Sequence, residues 1–296
     1  MSFSTSNIYS RLRNLPEETK GAIVALPPIV YILLFFVAPL LTILNYSVRI
    51  QENLNITNQL TLQHYVEVLT SGTFQGALSY SVTTALVTTL ATLILGLPVG
   101  YYLAIKASER YRNLYVFLII APLFVNFFVR AYALIQLGSP QGFINGFLVS
   151  VAITDQPIKR LIYSQPSVIF GLASLYLPLM VLPIYAMLRQ IDPVWYEAAR
   201  DLGAGQFQTH REITLPNAQS GIILGGLFVF LLTLGNQAVP RILGGAKDTT
   251  YPEAILLQLE GSVNWPVASA ASGVMMVFVI LVLIGVFTVF DVEELF

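Results

Sequence analysis

The chain has 296 residues, of which 55% are hydrophobic and only 10% are charged, and its formal net charge is −1. Soluble domains carry about a quarter charged residues, so this composition places the chain in a lipid bilayer. The near-zero net charge gives no indication of nucleic-acid binding. Without cysteine there is no disulfide, thiol nucleophile or cysteine-based metal site, and two distant histidines argue against a histidine-based site.

The apolar segments predict an all-α integral membrane protein with six transmembrane helices, because one crossing takes ~20 apolar residues. The first apolar run is too long and begins too late to be the core of a signal peptide. A cytoplasmic segment (1–20), a six-span domain (21–290) and a cytoplasmic tail (291–296) are therefore expected. The predicted spans 1 to 6 cover residues 21–48, 77–105, 114–137, 166–188, 217–239 and 268–290.

Two features lie between and within these spans. The apolar piece 143–153 is too short to cross a membrane, which predicts an interfacial or re-entrant helix. In span 2, Gly96 and Gly100 flank Pro98. This pattern predicts either a close contact between helix backbones or a kink.

Lysine and arginine counts predict the orientation, because short cytoplasmic loops are enriched in both residues. Nine lie on the side of the termini, the turn after span 2 and the segment between spans 4 and 5, against five on the other side. The sequence therefore predicts that both termini are cytoplasmic. The nine are Arg11, Arg13, Lys20, Lys106, Arg110, Arg112, Arg189, Arg200 and Arg211; the five are Arg49, Lys159, Arg160, Arg241 and Lys247.

The segment between spans 4 and 5, residues 190–216, predicts two short helices joined by a sharp turn. Asp192 is a good N-cap and Pro193 suits the first helical position. A helix is expected over 194–202, and Gly203 is placed to end it in a left-handed turn. A second short amphipathic helix is expected over 206–212. Such a polar segment, which connects two apolar spans, is suited to docking on another protein.

The same segment carries a family motif: Glu197-Ala198-Ala199, Gly203 after three residues, then Ile213, and Leu215-Pro216. It resembles the EAA loop of membrane permease subunits in binding-protein-dependent ATP-binding-cassette importers. The resemblance implies that this loop is cytoplasmic and docks in a groove of an ATPase subunit. The alternative is an ordinary cytoplasmic loop with an alanine-rich helix. The implied coupling residues are Glu197, Ala198, Ala199, Gly203, Ile213, Leu215 and Pro216.

The resemblance also implies the other subunits of the transporter. A dimer of cytoplasmic ATPase subunits, a second permease that is expected to be a paralogue, and a periplasmic or extracellular binding protein would assemble with this chain in the bacterial inner membrane. The mechanism implied is alternating access, with no cofactor on this chain. The sequence contains no G-x-x-x-x-G-K-[ST] motif, so ATP hydrolysis is expected on a partner chain and no enzymatic activity on this one.

A narrower resemblance concerns the solute. The segments PLFVNFFVRAYALI (122–135) and LGNQAVPRILGG (234–245), with Asn264-Trp265-Pro266, resemble permeases of spermidine/putrescine importers. Asn236 departs from that pattern, because an acidic residue is expected at its position. Another organic cation, an iron complex or an oxyanion therefore remains open as the solute. A gradient-driven transporter fits less well, because neither internal repeats nor intramembrane carboxylates are evident, and a membrane enzyme lacks clustered His, Asp, Glu or Cys.

Four polar residues are candidates for the solute path. Arg130 lies inside predicted span 3, where a charge faces either a cavity or a partner, or else snorkels to the outer interface. Asn126 shares its helical face, which lines either the path or a helix contact. Asn236 and Gln237 lie where the helix of span 5 is expected to break; Asn236 would either face the solute or cap the helix. His210, in contrast, is interpreted as a solvated loop residue.

Overall fold

The computed structural model describes residues 16–245 and 248–290 of the chain. Most of the predicted N-terminal segment, with Arg11 and Arg13, lies outside the described residues, as do Lys247 and the predicted tail 291–296. In the described part, helix dominates, and the two strands Arg49–Glu52 and Asn55–Leu60 form one antiparallel hairpin. The predicted all-α membrane class is thus confirmed, apart from this small hairpin.

Five helical segments are long and apolar enough to cross a membrane, and they correspond to spans 1, 2, 4, 5 and 6. Short π-helical turns interrupt spans 1, 2 and 5 without ending them. The five segments are Val24–Ser47, Gly72–Lys106, Lys159–Leu188, Gln206–Leu234 and Trp265–Val289.

Span 3 is not the single helix predicted over 114–137. Two helical arms, Glu109–Phe124 and Phe127–Ser150, meet at an angle of 93°. Val125 is extended at the bend, and the Asn126 side chain accepts a hydrogen bond from the Phe128 amide (2.9 Å), which starts a new helix. An N-capping asparagine competes with continuation of the preceding helix, and the prediction missed this. The arms comprise the helices Glu109–Ile120, Ala121–Phe124 (3-10), Phe127–Gly138 and Phe143–Ser150.

The packing of spans 2 and 4 shows that the bent segment must cross the membrane once. Gln165 of span 4 donates to Thr84 of span 2 (3.1 Å), and a Cβ on Gly100, further along span 2, would touch Ile184. Later residues of span 2 contact later residues of span 4, so the two helices run parallel. The chain between them therefore returns across the membrane, which gives six crossings in all.

Span 4 is the centre of the bundle. Its side chains Leu172, Met180 and Ile184 are fully buried, whereas the described side chains of span 1 are largely exposed. Span 5 packs antiparallel to it at very short range: a Cβ on Gly221 would lie 2.7 Å from the Pro183 carbonyl oxygen. Small residues thus let the backbones of spans 2, 4 and 5 approach one another closely. Such packing is usual in membranes, because the hydrophobic effect does not drive helices together in lipid.

In span 2, the predicted glycine pair makes a helix contact. Gly96 and Gly100 face Met180 and Ile184 of span 4, and Pro98 lies inside one continuous helix, Gly72–Tyr101. The predicted close contact is therefore present, and Pro98 does not end the helix.

At the end of the bundle away from the segment 190–216, short elements tie spans 1, 2 and 6 together. The Tyr251 amide donates to Ser81 Oγ (2.8 Å), and the Tyr251 hydroxyl donates to the Ala271 carbonyl (3.1 Å). Burial raises the pKa of Tyr251 to about 12, so it stays a neutral donor. The short elements here are the hairpin and the helices Gln63–Thr70, Ala238–Leu243 and Tyr251–Glu260.

Candidate functional site

The first half of the segment 190–216 folds as predicted. We name the helix Pro193–Asp201 the coupling helix, after the role that the family resemblance implies for it; Asp192 caps it by accepting from the Val194 amide (3.0 Å). The chain then turns at Gly203, whose φ of +80° is left-handed, and the Gly203 amide donates to the Arg200 carbonyl (2.9 Å). A Cβ is disfavoured at this φ, so glycine is needed for the turn.

The second half does not form a separate helix over 206–212. The helix Gln206–Thr209, a π-helical turn over His210–Thr214 and the helix Leu215–Leu234 run on without a break. In the π turn the Leu215 amide donates to His210, five residues back. Pro216 has no amide to donate and crowds the carbonyl four residues before it, and the widened turn next to it accommodates this. Span 5 therefore begins about ten residues before its predicted start.

The two halves of the segment 190–216 line an open groove of about 450 Å³ on the surface of the protein. Apolar side chains are strongly exposed around it, with Leu202 88% and Phe207 81% accessible. Glu197 is exposed on the coupling helix, and no ion pair joins it to Arg200. Of the predicted coupling residues, Ala198, Ala199, Gly203 and Ile213 line the groove, while Leu215 and Pro216 open the membrane helix next to it.

Side chains attach the coupling helix to the base of the bundle. The Tyr196 hydroxyl shares a hydrogen bond with Thr214 Oγ1 (3.2 Å), which also bonds His210 Nδ1 (3.3 Å). The His210 ring packs edge-on against Tyr101 of span 2, with centroids 4.6 Å apart. His210 is exposed, as predicted, but it lies in a π-helical turn instead of a loop and makes these two contacts. Thr214 was missed, because a lone threonine carries no sequence signal.

A second attachment joins the ends of three spans on the same side. Arg189, after span 4, lies 3.5 Å from Glu109, which begins span 3 and also pairs with Arg112. The buried Arg112 donates to the carbonyls of Leu103 (3.0 Å) and Ala107 (2.8 Å) at the end of span 2. The turn after span 2 is thus held to the segment that leads into the coupling helix.

Arg130 lies at the bend of span 3 and faces backbone carbonyls. Its guanidinium donates to the carbonyls of Pro122 and Val125 (3.2 Å), and to that of Ser174 in span 4 (3.5 Å). Asn126 caps the helix Phe127–Gly138, on which Arg130 lies one turn later, and the Arg130 amide donates to the Asn126 carbonyl (3.2 Å). The terminal nitrogens of Arg130 and the side-chain oxygen of Asn126 thus bond backbone groups at the bend, whereas Arg130 Nε is buried without a hydrogen-bond partner among the described residues.

Asn236 and Gln237 lie in the predicted break at the end of span 5, between the helices Leu215–Leu234 and Ala238–Leu243. Asn236 accepts from the Val239 amide (2.9 Å) and donates to the Tyr176 hydroxyl (2.9 Å). Its cap therefore serves the following helix, not the end of span 5. Gln237 is exposed, and its side chain has no hydrogen-bond partner among the described residues. Tyr176, which the sequence did not single out, links span 4 to this break.

No group of three or more His, Asp or Glu side chains within residues 16–245 and 248–290 is arranged to hold a metal ion. The features with potential function are thus the coupling helix with its groove, the bend of span 3 and the break of span 5.

The chain is similar to known membrane transport proteins. Residues 96–292 match the sequence profile described as "Binding-protein-dependent transport system inner membrane component". The chain is 35% identical over 243 residues to the spermidine/putrescine transport system permease protein PotB of Escherichia coli (strain K12), which covers 82% of this chain and 87% of that protein.

Solved structures show the same fold. The crystal structure of a bacterial ABC transporter that imports the acidic polysaccharide alginate superposes with a TM-score of 0.75 at 17% identity, covering 96% of this chain and 98% of that one. The alginate transporter in complex with its pentasaccharide-bound periplasmic protein gives 0.75 at 18% identity, with 90% and 91% covered. With six crossings and a profile match over residues 96–292, about two thirds of its length, this chain belongs to the family of binding-protein-dependent transport system inner membrane components.

Proposed function

We propose that this chain is the permease subunit of an ATP-binding-cassette importer for polyamines such as spermidine and putrescine. It forms half of the translocation path, which opens alternately to the two sides of the membrane. The observation that carries the importer class is the coupling helix, which projects an exposed carboxylate, Glu197, and exposed apolar side chains beside an open groove. The 35% identity to a spermidine/putrescine permease supports the solute.

The coupling helix docks on an ATPase subunit, and Glu197, Ala198, Ala199, Gly203, Ile213, Leu215 and Pro216 form or position the docking surface. Large exposed apolar residues such as Leu202, Phe207 and Trp195 supply contact area of the kind that dominates interfaces. ATP hydrolysis belongs to that partner and not to this chain, which is a non-catalytic subunit without a phosphate-binding G-x-x-x-x-G-K-[ST] sequence.

The other partners follow from the incomplete enclosure of one bundle. The described part of span 1 exposes apolar side chains along its length, and a second, paralogous permease together with lipid covers such surfaces. A binding protein delivers the solute on the side opposite the coupling helix; the alginate transporter, which has the same fold, was solved in complex with a pentasaccharide-bound periplasmic protein. Both termini and the coupling helix face the cytoplasm.

A second candidate keeps the importer class and changes the solute to another organic cation, an iron complex or an oxyanion. The observation that favours it is Asn236, a neutral residue where the polyamine permeases are expected to carry an acid. Both ends of this amide are engaged by protein groups, so Asn236 holds the end of span 5. Among the path candidates Asn126, Arg130, Asn236 and Gln237, the unpartnered Gln237 is best placed for the solute.

The test is uptake of labelled spermidine and putrescine into proteoliposomes that contain this chain, its partner permease, the ATPase and the binding protein. We expect saturable uptake that requires ATP. ATP-driven function without polyamine uptake would retain the importer and reject the solute, whereas uptake without the ATPase would reject the importer.

The Glu197→Lys substitution tests the docking surface in the same assay. Uptake should fall at least tenfold, because reversal of an interface charge costs on the order of 1.4 kcal/mol or more. Uptake by Glu197→Gln should lie between that of the wild type and that of Glu197→Lys. Asp155→Lys, a charge reversal at another exposed residue on the opposite side, should leave uptake within about twofold. Normal uptake by Glu197→Lys would contradict the docking role.

A further inference from the structure

Two π-helical turns lie at the base of the bundle, and the residue before one of them contacts the first residue of the other. One spans Tyr102–Lys106 at the end of span 2, where the Ala107 amide donates to Tyr102 (2.8 Å). The other spans His210–Thr214, at the start of span 5. π turns are rare and lack the regular hydrogen-bond ladder, so a helix bends more easily there than elsewhere.

Side chains join these turns to each other and to the coupling helix. Thr214 is only 6% exposed, and its single hydroxyl lies within hydrogen-bond distance of both Tyr196 and His210. His210 in turn packs edge-on against Tyr101, the residue immediately before the π turn of span 2. A continuous chain of contacts thus runs from the coupling helix through span 5 to span 2.

We propose that this joint, formed by Tyr196, Thr214, His210 and Tyr101, transmits displacement of the coupling helix to spans 2 and 5. Thr214 is its central positioning residue. The inference rests on the proposed docking of the coupling helix but concerns a different surface, since Thr214 is buried behind that helix. The two π turns are the points at which spans 2 and 5 yield.

The alternative path for this motion is the chain itself. After the coupling helix the connection passes through Gly203 and Gly205, around which a Cβ would meet nothing within 4 Å. Such an open, glycine-containing turn transmits a displacement of the coupling helix poorly, because the turn itself bends first. The side-chain contacts bypass this turn and fix the coupling helix directly to the helix of span 5.

A matched pair of substitutions tests the role of the hydroxyl. Thr214→Val keeps the branched shape and removes the hydroxyl, whereas Thr214→Ser keeps the hydroxyl. In the complete importer in proteoliposomes, the measured quantity is solute taken up per ATP hydrolysed. We expect Thr214→Val to lower this ratio about fivefold, because that factor corresponds to the loss of one hydrogen bond. ATP hydrolysis should be retained. Thr214→Ser should restore the ratio to within about twofold.

A second pair guards against misfolding of the buried variant. Tyr196→Phe removes only the partner hydroxyl, and we expect it to lower the ratio in the same direction. Its control is Tyr185→Phe at the end of span 4, because the Tyr185 hydroxyl has no hydrogen-bond partner among the described residues. This control should leave the ratio unchanged.

Three results would overturn the joint: a wild-type ratio in both Thr214→Val and Tyr196→Phe, a Thr214→Ser variant as poor as Thr214→Val, or a fall of uptake and ATP hydrolysis in equal proportion. The last would mean lost docking or lost structure, not lost transmission. Failure of the proposed function looks different, because the unsubstituted complex would then show no ATP-driven uptake at all.

Discussion

The Arg130 guanidinium donates to three backbone carbonyls at the bend of span 3, two on its own chain segment and one, that of Ser174, on span 4. A charge at this position was expected to face a cavity, a partner or the outer interface. Its partners are carbonyls close to the point where the helix breaks. Hydrogen bonds from a charged donor are stronger than neutral ones, so one side chain can hold both arms of the bend.

Arg130→Gln should therefore destabilise the protein. A glutamine amide cannot reach all three carbonyls, and each hydrogen bond lost from a charged donor costs about 1.5–3 kcal/mol. The measurement is the thermal midpoint of the purified protein in detergent, with Arg211→Gln as the control, since Arg211 is exposed and makes no ion pair with a described residue. Equal midpoints for both variants would contradict this role of Arg130.

Asparagine has a comparable part at two other positions. Asn126 starts the second arm of span 3, and Asn236 starts the short helix after span 5 while it holds Tyr176. Both had been candidates for the solute path. Inside a bundle, an asparagine that accepts from a backbone amide satisfies a group that lipid cannot satisfy, and this use competes with solute contact.

At the scale of single elements, the coupling helix depends on its two ends. Asp192 begins it, and the left-handed Gly203 ends it and turns the chain into the groove. Its packing against the bundle is sparse, apart from the Tyr196 hydrogen bond. The direction of this helix is therefore set by the turn and by the joint at Thr214.

Gly203→Val should misdirect the helix without removing the protein from the membrane. A β-branched residue at positive φ costs about 1–2 kcal/mol, which the local backbone relieves by changing the turn. ATP-driven uptake should fall several-fold at unchanged membrane abundance. Gly203→Asn should retain more uptake because asparagine tolerates this conformation.

Gly205→Val provides the matched control for this turn. Gly205 has an ordinary φ of −71° and open space around it, so a side chain there is tolerated. Equal uptake by Gly203→Val and Gly205→Val would show that the left-handed turn is not needed.

For the whole molecule, the order of contacts along the spans decides the topology. Spans 2 and 4 are parallel, so span 3 crosses once in spite of its bend, and the coupling helix lies on the same side as the turn after span 2. The lysine and arginine bias predicts that this side is the cytoplasm.

The chain contains no cysteine, so single substitutions can report this orientation. Ser108→Cys, in the exposed turn between spans 2 and 3, should react with a membrane-impermeant thiol reagent only after cells are permeabilised. Ser262→Cys, exposed before span 6, should react in intact cells. The reverse pattern would invert the proposed topology.

Several elements could be predicted from local sequence because their causes are local. The apolar runs set the membrane class and the approximate spans 1, 2, 4 and 6, and the caps Asp192 and Gly203 set the coupling helix. The break at Gly235–Gln237 also followed from its own residues. In each case the free energy that decides the structure, burial in lipid or a capped helix end, depends on neighbours in sequence.

What only the tertiary structure decided depends on contacts between distant segments. The bend of span 3 is held by Arg130 against span 4, the early start of span 5 by Thr214 and His210 against Tyr196 and Tyr101, and Asn236 by Tyr176. The sequence by itself determined that the chain crosses the membrane and carries a short capped helix between spans 4 and 5. Packing decided which polar side chains form hydrogen bonds to the backbone and which have no such partner. A polar group buried in a bundle bonds to whatever partner the fold brings close to it.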